Sequence, residues 1–230
     1  LQTTNQPDVF TLPEDQSTNL PVNQQINEET SQGKYGRYLY TVRSLWNDAS
    51  TFEMVIWTFY VNKDLAIPTR DFKLTASRNE SVHAFSLNPN PNVEFLPTNV
   101  YEKFPWIIMF DGGVCKLREI FKENFRGLTH LQALYLHFNQ IDELKVDVFE
   151  EIPEITYIDL SNNKVSSLPL GIFDTLLQLQ YIGLGHNQLS TIDKDIFIKN
   201  NFLMNIFLQK NKISKLQTFH KHLKYLEKVT

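Results

Sequence analysis

Asp111, His137, Asp159 and His186 are the residues whose types and spacing invite a chemical reading first. Asp111 and Asp159 lie 48 residues apart. If every 24 residues carried one strand of a parallel sheet, strand spacing would hold their backbones about 9–10 Å apart. Inverting glycosidases separate their carboxylates by a similar distance. Tyr135 would stand between the two, however, and nothing nearby forms a walled, water-excluding cleft. His137, Asp159 and His186 would come from three successive units and converge only loosely on a metal, because the short paired spacings of strong metal motifs are absent. No glycine-rich phosphate loop, Walker sequence or nucleophile elbow is present. His83, His130, His220 and His222 have no nucleophile or carboxylate at a useful spacing. The sequence therefore assigns no catalytic residue, no metal and no cofactor, and the expectation is a protein that is not an enzyme.

The elements that would position these residues follow from a recurrence of 24 residues. Registers start at Phe104, Leu128, Ile152, Leu176 and Asn200. Their fourth positions are Ile107, Leu131, Ile155, Leu179 and Leu203, and their seventh Phe110, Leu134, Ile158, Ile182 and Ile206. A ladder follows at the twelfth: Cys115, Asn139, Asn163, Asn187 and Asn211. Phe125, Phe149, Phe173 and Phe197 mark the twenty-second. A degenerate copy, "FSLNPNPNVEFLPTNVYEKF", precedes them with a one-residue insertion and keeps Phe85, Leu87, Val93, Leu96 and Tyr101.

The columns carry their own physics. Positions seven and nine point the same way off one short strand, because strand side chains alternate with period two. Each strand pairs in parallel with the next and buries a stack that no single unit could bury alone. The ladder amides satisfy backbone groups in the turn leaving the strand. Cys115 occupies a ladder position, so a buried structural thiol is expected there, not the exposed thiolate that reactivity requires.

This pattern, L-x-x-L-x-L-x-x-N/C-x-L, resembles the leucine-rich repeat in its typical 24-residue form. The resemblance implies an α/β-type repeat solenoid. A curved parallel sheet lines its concave face, irregular or short 3-10 turns its convex face. The "NPNPNVEFLPTNVYEKFP" flank resembles small secreted repeat proteins of insects. Such relatives bind proteins, sometimes glycans or lipids, on the concave face and serve recognition, innate immunity and adhesion. Extracellular relatives usually carry cysteine-rich caps, whereas this chain has one cysteine.

Both ends of such an array need caps. Upstream, "YGRYLYTVRSLW" and "TFEMVIWTFYV" read as two strands around a turn at Asn47-Asp48, and Arg70–Ser77 as a third. Downstream, Leu216, Phe219, Leu223 and Leu226 fall at helical spacings, which predicts a capping helix. The organisation expected is a polar, mobile tail over 1–34, a β-rich cap over 35–79, repeats over 80–216 and a helical cap over 217–230. The tail expectation rests on its Gln-, Asn- and Thr-rich composition, which offers little apolar burial.

A net charge of −4 over 230 residues argues against a nucleic-acid or anionic-membrane surface. No apolar run is long enough to span a bilayer. Asn79-Glu80-Ser81 is a glycosylation sequon, and with the resemblance it points to a secreted glycoprotein. Function must come from the concave face, because the fold alone does not define it. The expected contact residues there are Tyr135, His137, Phe138, Tyr157, Asp159, Tyr181, His186 and Phe207, with a low spot left by Gly183 and Gly185. Aromatic side chains with a polar rim suit protein recognition. The reading is a binding protein with a protein partner. The alternatives are a self-associating structural or matrix component and an intracellular adaptor.

Overall fold

The computed structural model describes residues 27–30, 33–43, 51–61, 70, 73–74, 78–214 and 223–230. Ten strands lie in chain order within one sheet among these residues. β1 (Asn27–Thr30), β2 (Gly33–Arg43) and β3 (Thr51–Val61) pair antiparallel. β3 then pairs in parallel with β4 (Ala84–Ser86). From β4 the parallel ladder runs through β5 (Met109–Asp111), β6 (Ala133–Tyr135), β7 (Tyr157–Asp159), β8 (Tyr181–Gly183), β9 (Asn205–Phe207) and β10 (Lys228–Val229). These seven short strands form a solenoid of about six turns.

The middle residue of each triplet explains why three residues suffice. Phe85, Phe110, Leu134, Ile158, Ile182 and Ile206 are all fully buried. Their neighbours in adjacent turns supply the cover, so each turn is stable only beside another. On the convex side the turns tighten, once as a 3-10 turn at Lys122–Phe125, and deliver a phenylalanine inward each time. Phe125, Phe149, Phe173 and Phe197 form a fully buried spine with ring centroids 6.3, 6.2 and 5.4 Å apart.

The asparagine ladder completes the polar accounting. Asn163 Oδ1 accepts from the Ile141 N–H at 3.0 Å, and its Nδ2 donates to the Leu136 and Leu160 carbonyls. Asn139, Asn187 and Asn211 repeat the arrangement one turn apart. Cys115 fills the same position with less. Its thiol contacts the Gly113 and Leu87 carbonyls and the Asn90 backbone, and burial pushes its pKa up to about 12. Asn90, buried to 3 % exposure, holds the ladder position of the degenerate turn, which the inserted residue hides from the spacing.

Two expectations need adjusting. Asn27–Thr30 falls in the segment expected to be a mobile tail, yet it is a strand paired with Gly33–Gly36. Edge pairing uses backbone groups, so it does not require the apolar side chains whose scarcity suggested a tail. Residues 1–26 and the turn at Asn47-Asp48 lie outside the described residues. So does most of Arg70–Ser77, although Leu74 is held at both its N–H and its carbonyl by buried Asn99.

The second concerns the C-terminal end. Residues 217–222 of the expected capping helix lie outside the described part, and Leu223–Thr230 is not helical. It forms a further, shortened turn of the solenoid, with Lys228 beside Asn205 and Val229 beside Ile206. Leu223, Leu226 and Val229 thus take repeat positions one, four and seven. Spacings of three and four fit a helix face and a leucine-rich turn alike, and here the existing edge of β9 decides between them.

Candidate functional site: the concave aromatic row

In-register parallel pairing places Tyr157 directly beside Tyr181 and Asp159 beside Gly183. Tyr157 and Tyr181 stack with centroids 4.1 Å apart and planes within 9°. Tyr135 joins from β6 at 5.0 Å and Phe207 from β9 at 5.1 Å. The Lys228 ammonium lies 5.1 Å from the Phe207 ring centre and terminates the row. One continuous line of four rings and a cation therefore crosses the concave sheet. Stacking of this kind contributes about 0.5–1.5 kcal/mol per pair beyond the area buried.

The row is less exposed than alternation alone suggests. Tyr135 is only 4 % exposed and belongs to the core, whereas Tyr157, Tyr181 and Phe207 are half-buried and show their edges. Burial raises the pKa of the Tyr135, Tyr157 and Tyr181 hydroxyls, and the Asp159 charge adds to it. The sign of the consequence is fixed. Above pH ~10 an unfolded tyrosine releases its proton while these folded ones keep theirs, so stability falls as pH rises. In a spectrophotometric titration, part of the tyrosine absorbance change should appear only together with alkaline loss of circular dichroism. Full, reversible ionisation of all tyrosines in the folded state would contradict the burial.

The polar candidates divide. His137 is half-buried with Nδ1 3.7 Å from Asp159 Oδ2, and its ring meets Tyr135 edge-on. Asp159 Oδ1 also accepts from the Ser161 N–H. Phe138 and His186 are not in the row. Each stands exposed at the eleventh position, the rim, with φ of 53° and 55°. No hydrogen bond or ion pair links His186 to His137 or Asp159 among the described residues, and no group of three His, Cys, Asp or Glu there is placed to hold a metal.

The expected low spot at Gly183 and Gly185 is filled. A Cβ at Gly183 would come within 2.6 Å of Asp159 Oδ1, and one at Gly185 within 2.6 Å of the Gln209 amide. The glycines make room for neighbouring polar side chains to lie across the sheet.

Asp111 is no partner for Asp159 in chemistry. It is 3 % exposed, accepts from the Gly113 N–H and from Asn88, and its pKa is raised by burial. Asn88 and Lys228 are the contributors that sequence spacing missed. The first lies past the insertion in the degenerate turn, the second in the segment assigned to a helix.

The leucine-rich-repeat family model matches residues 115–165 and 153–213. No curated protein matches the chain. Among solved structures, an internalin from Listeria monocytogenes is similar at a TM-score of 0.48 and 17 % identity, covering 65 % of this chain and 47 % of its own. The structure of the Toll–Spatzle complex from Drosophila is similar at 0.47 and 20 % identity, covering 68 % and 28 %. The chain thus spans less than half the length of either. No helix among the described residues is long and apolar enough to cross a membrane.

Proposed function

The chain is a leucine-rich-repeat protein, and from that premise we propose that it is a secreted recognition protein holding a protein partner on its concave face. Proteins of this family are generally binding scaffolds without enzymatic activity. The observation carrying the proposal is the aromatic row from Tyr135 to Phe207. Half-buried tyrosines give large contact area at little conformational cost, as recognition surfaces require.

The geometry also favours a polypeptide over a sugar. Tyr157 and Tyr181 cover each other's faces at 4.1 Å, so a ligand meets ring edges, while the Tyr157 hydroxyl is itself buried. A sugar ring that must lie flat on an aromatic face finds none free in that pair. Peptide carbonyls and apolar side chains suit ring edges, which carry the positive end of the aromatic quadrupole. His137 and Asp159 supply polar selectivity beside the row, with Phe138 and His186 at its rim.

Affinity capture from native extracellular fluid tests this, with wild type beside the Tyr157→Ala, Tyr181→Ala double variant. A partner retained at least tenfold better by wild type is expected, with both proteins showing the same strand signal by circular dichroism. Equal capture by a folded double variant would place the site elsewhere. Capture of the protein's own copies alone would favour the self-associating reading.

Secretion has its own test at Asn79. Its Oδ1 accepts from the Ser81 N–H at 2.9 Å and the Ser81 hydroxyl at 2.7 Å, in a surface turn ahead of β4. The proposal expects native protein to lose mass on enzymatic deglycosylation, with the change mapped to Asn79. An unmodified Asn79 peptide in native material would count against secretion.

A further inference from the structure

We infer that the partner presents an acidic polypeptide segment, which lies along the descending edge of the last three regular turns beside the aromatic row. The inference rests on the concave-face reading and adds the partner's chemistry to it.

The edge is formed where the chain leaves each strand, at positions eleven to sixteen of the repeat. In the first two regular turns acids outnumber cations on this edge: Lys116, Arg118 and Glu119 lie in 114–119, and Asp142 and Glu143 in 138–143, with Arg118 already paired to Glu94. In the following turns the edge carries no acid. Residues 162–167, 186–191 and 210–214 contain Lys164, His186, Lys210 and Lys212, with hydroxyl and amide side chains between them. A chain of net charge −4 therefore concentrates uncompensated cations on one edge of one end.

Their partners differ from those of the ion-paired lysines. On the convex side Lys122, Lys145 and Lys194 each reach a carboxylate, at Glu150, Glu143 and Asp195. On the edge Lys164 and Lys212 donate only to neutral amides, Gln140 at 3.3 Å and Gln188 at 3.2 Å. The amides hold the ammonium groups in a row without cancelling their charge. Lys210 makes no ion pair among the described residues, and it adopts φ 58°, a left-handed conformation that asparagine reaches at less cost. Local folding preference does not account for an exposed lysine there. Lys164 and Lys212 sit two turns apart, about 9–10 Å by strand spacing. The row's own terminal cation, Lys228, lies at the same end.

Rows of unpaired cations raise the association rate and orient an oppositely charged partner, and salt weakens them. An acidic segment on the edge would bring its neighbouring apolar residues over Tyr181 and Phe207.

The test uses the full chain and short poly-L-glutamate, with a heparin oligosaccharide as the competing polyanion. Binding to polyglutamate at low salt is expected, reversed by high salt and weakened about tenfold in a Lys164→Gln, Lys210→Gln, Lys212→Gln variant. These side chains lie at the surface, and glutamine keeps an unbranched, polar but uncharged side chain there, so folding should persist. The Tyr157→Ala, Tyr181→Ala variant should bind polyglutamate like wild type, which keeps failure of this inference separable from failure of the concave-face reading. Three results would overturn it: no binding at low salt, binding that the triple variant retains, or heparin binding tighter than polyglutamate. The last would assign the edge to sulfated glycans.

Discussion

Phe173→Ala is expected to lower the free energy of unfolding by about 3–5 kcal/mol, the range for deleting a fully buried aromatic side chain. Phe173 is stacked between Phe149 at 6.2 Å and Phe197 at 5.4 Å, so its loss removes contacts on both sides. The flanking rings belong to separate turns and cannot close the gap without moving whole repeats. In a solenoid each turn depends on its neighbours, so the damage should be directional. Hydrogen exchange should accelerate most between about residues 150 and 200, with the turns around Phe110 affected less. Urea denaturation with a midpoint within a few tenths of wild type would mean that the spine is not a principal source of stability.

Asn163→Ala is expected to cost about 2–6 kcal/mol, although it removes only one small polar side chain. Asn163 satisfies the Ile141 N–H and the Leu136 and Leu160 carbonyls. The variant leaves the Ile141 N–H unpaired, at about 1–3 kcal/mol, and takes one bond, about 0.5–1.5 kcal/mol, from each carbonyl, although Asn139 still donates to Leu136 and Asn187 to Leu160. The ladder provides an internal control, because Asn211 performs the same bonding at a half-exposed site. Water can replace the lost bonds there, so Asn211→Ala should cost clearly less. Equal losses at both positions would argue that burial is not what makes the ladder amide valuable.

The sequence made the repetitive part of this molecule legible because every column repeats one physical demand. Phe125, Phe149, Phe173 and Phe197 fill the same convex position in successive turns, and Ile158, Ile182 and Ile206 the same strand centre. Pairing partners on the concave face followed from the same arithmetic, down to Tyr157 beside Tyr181. Legibility failed where the period changed. One inserted residue concealed the ladder role of Asn90. One missing residue let Leu223 and Leu226, taken with Leu216 and Phe219, resemble a helix face, which also hid Lys228 at the end of the row. Depth was the other failure. Alternation gives the face on which Tyr135 stands, but not that neighbouring rings bury it to 4 % exposure. It gives the glycines, but not the Asp159 and Gln209 side chains lying across them.

The unequal behaviour of like residues is informative here. Asp111 and Asp159 share one column, yet the first is a buried acceptor for the Gly113 N–H and Asn88 while the second is half-buried beside His137. Lysines likewise differ, with Lys122, Lys145 and Lys194 ion-paired and Lys164 and Lys212 held by neutral amides. Residue type and spacing nominate such candidates. Their neighbours decide what each can do.

The most direct test of the concave-face account is hydrogen exchange on the captured complex, compared with the free protein. The account predicts slowed exchange in peptides covering β6 to β9 and the residues just after them, about 133–138, 157–162, 181–186 and 205–210. Protection confined to the convex turns, about 145–152 and 169–176, with the concave strands unchanged, would contradict it.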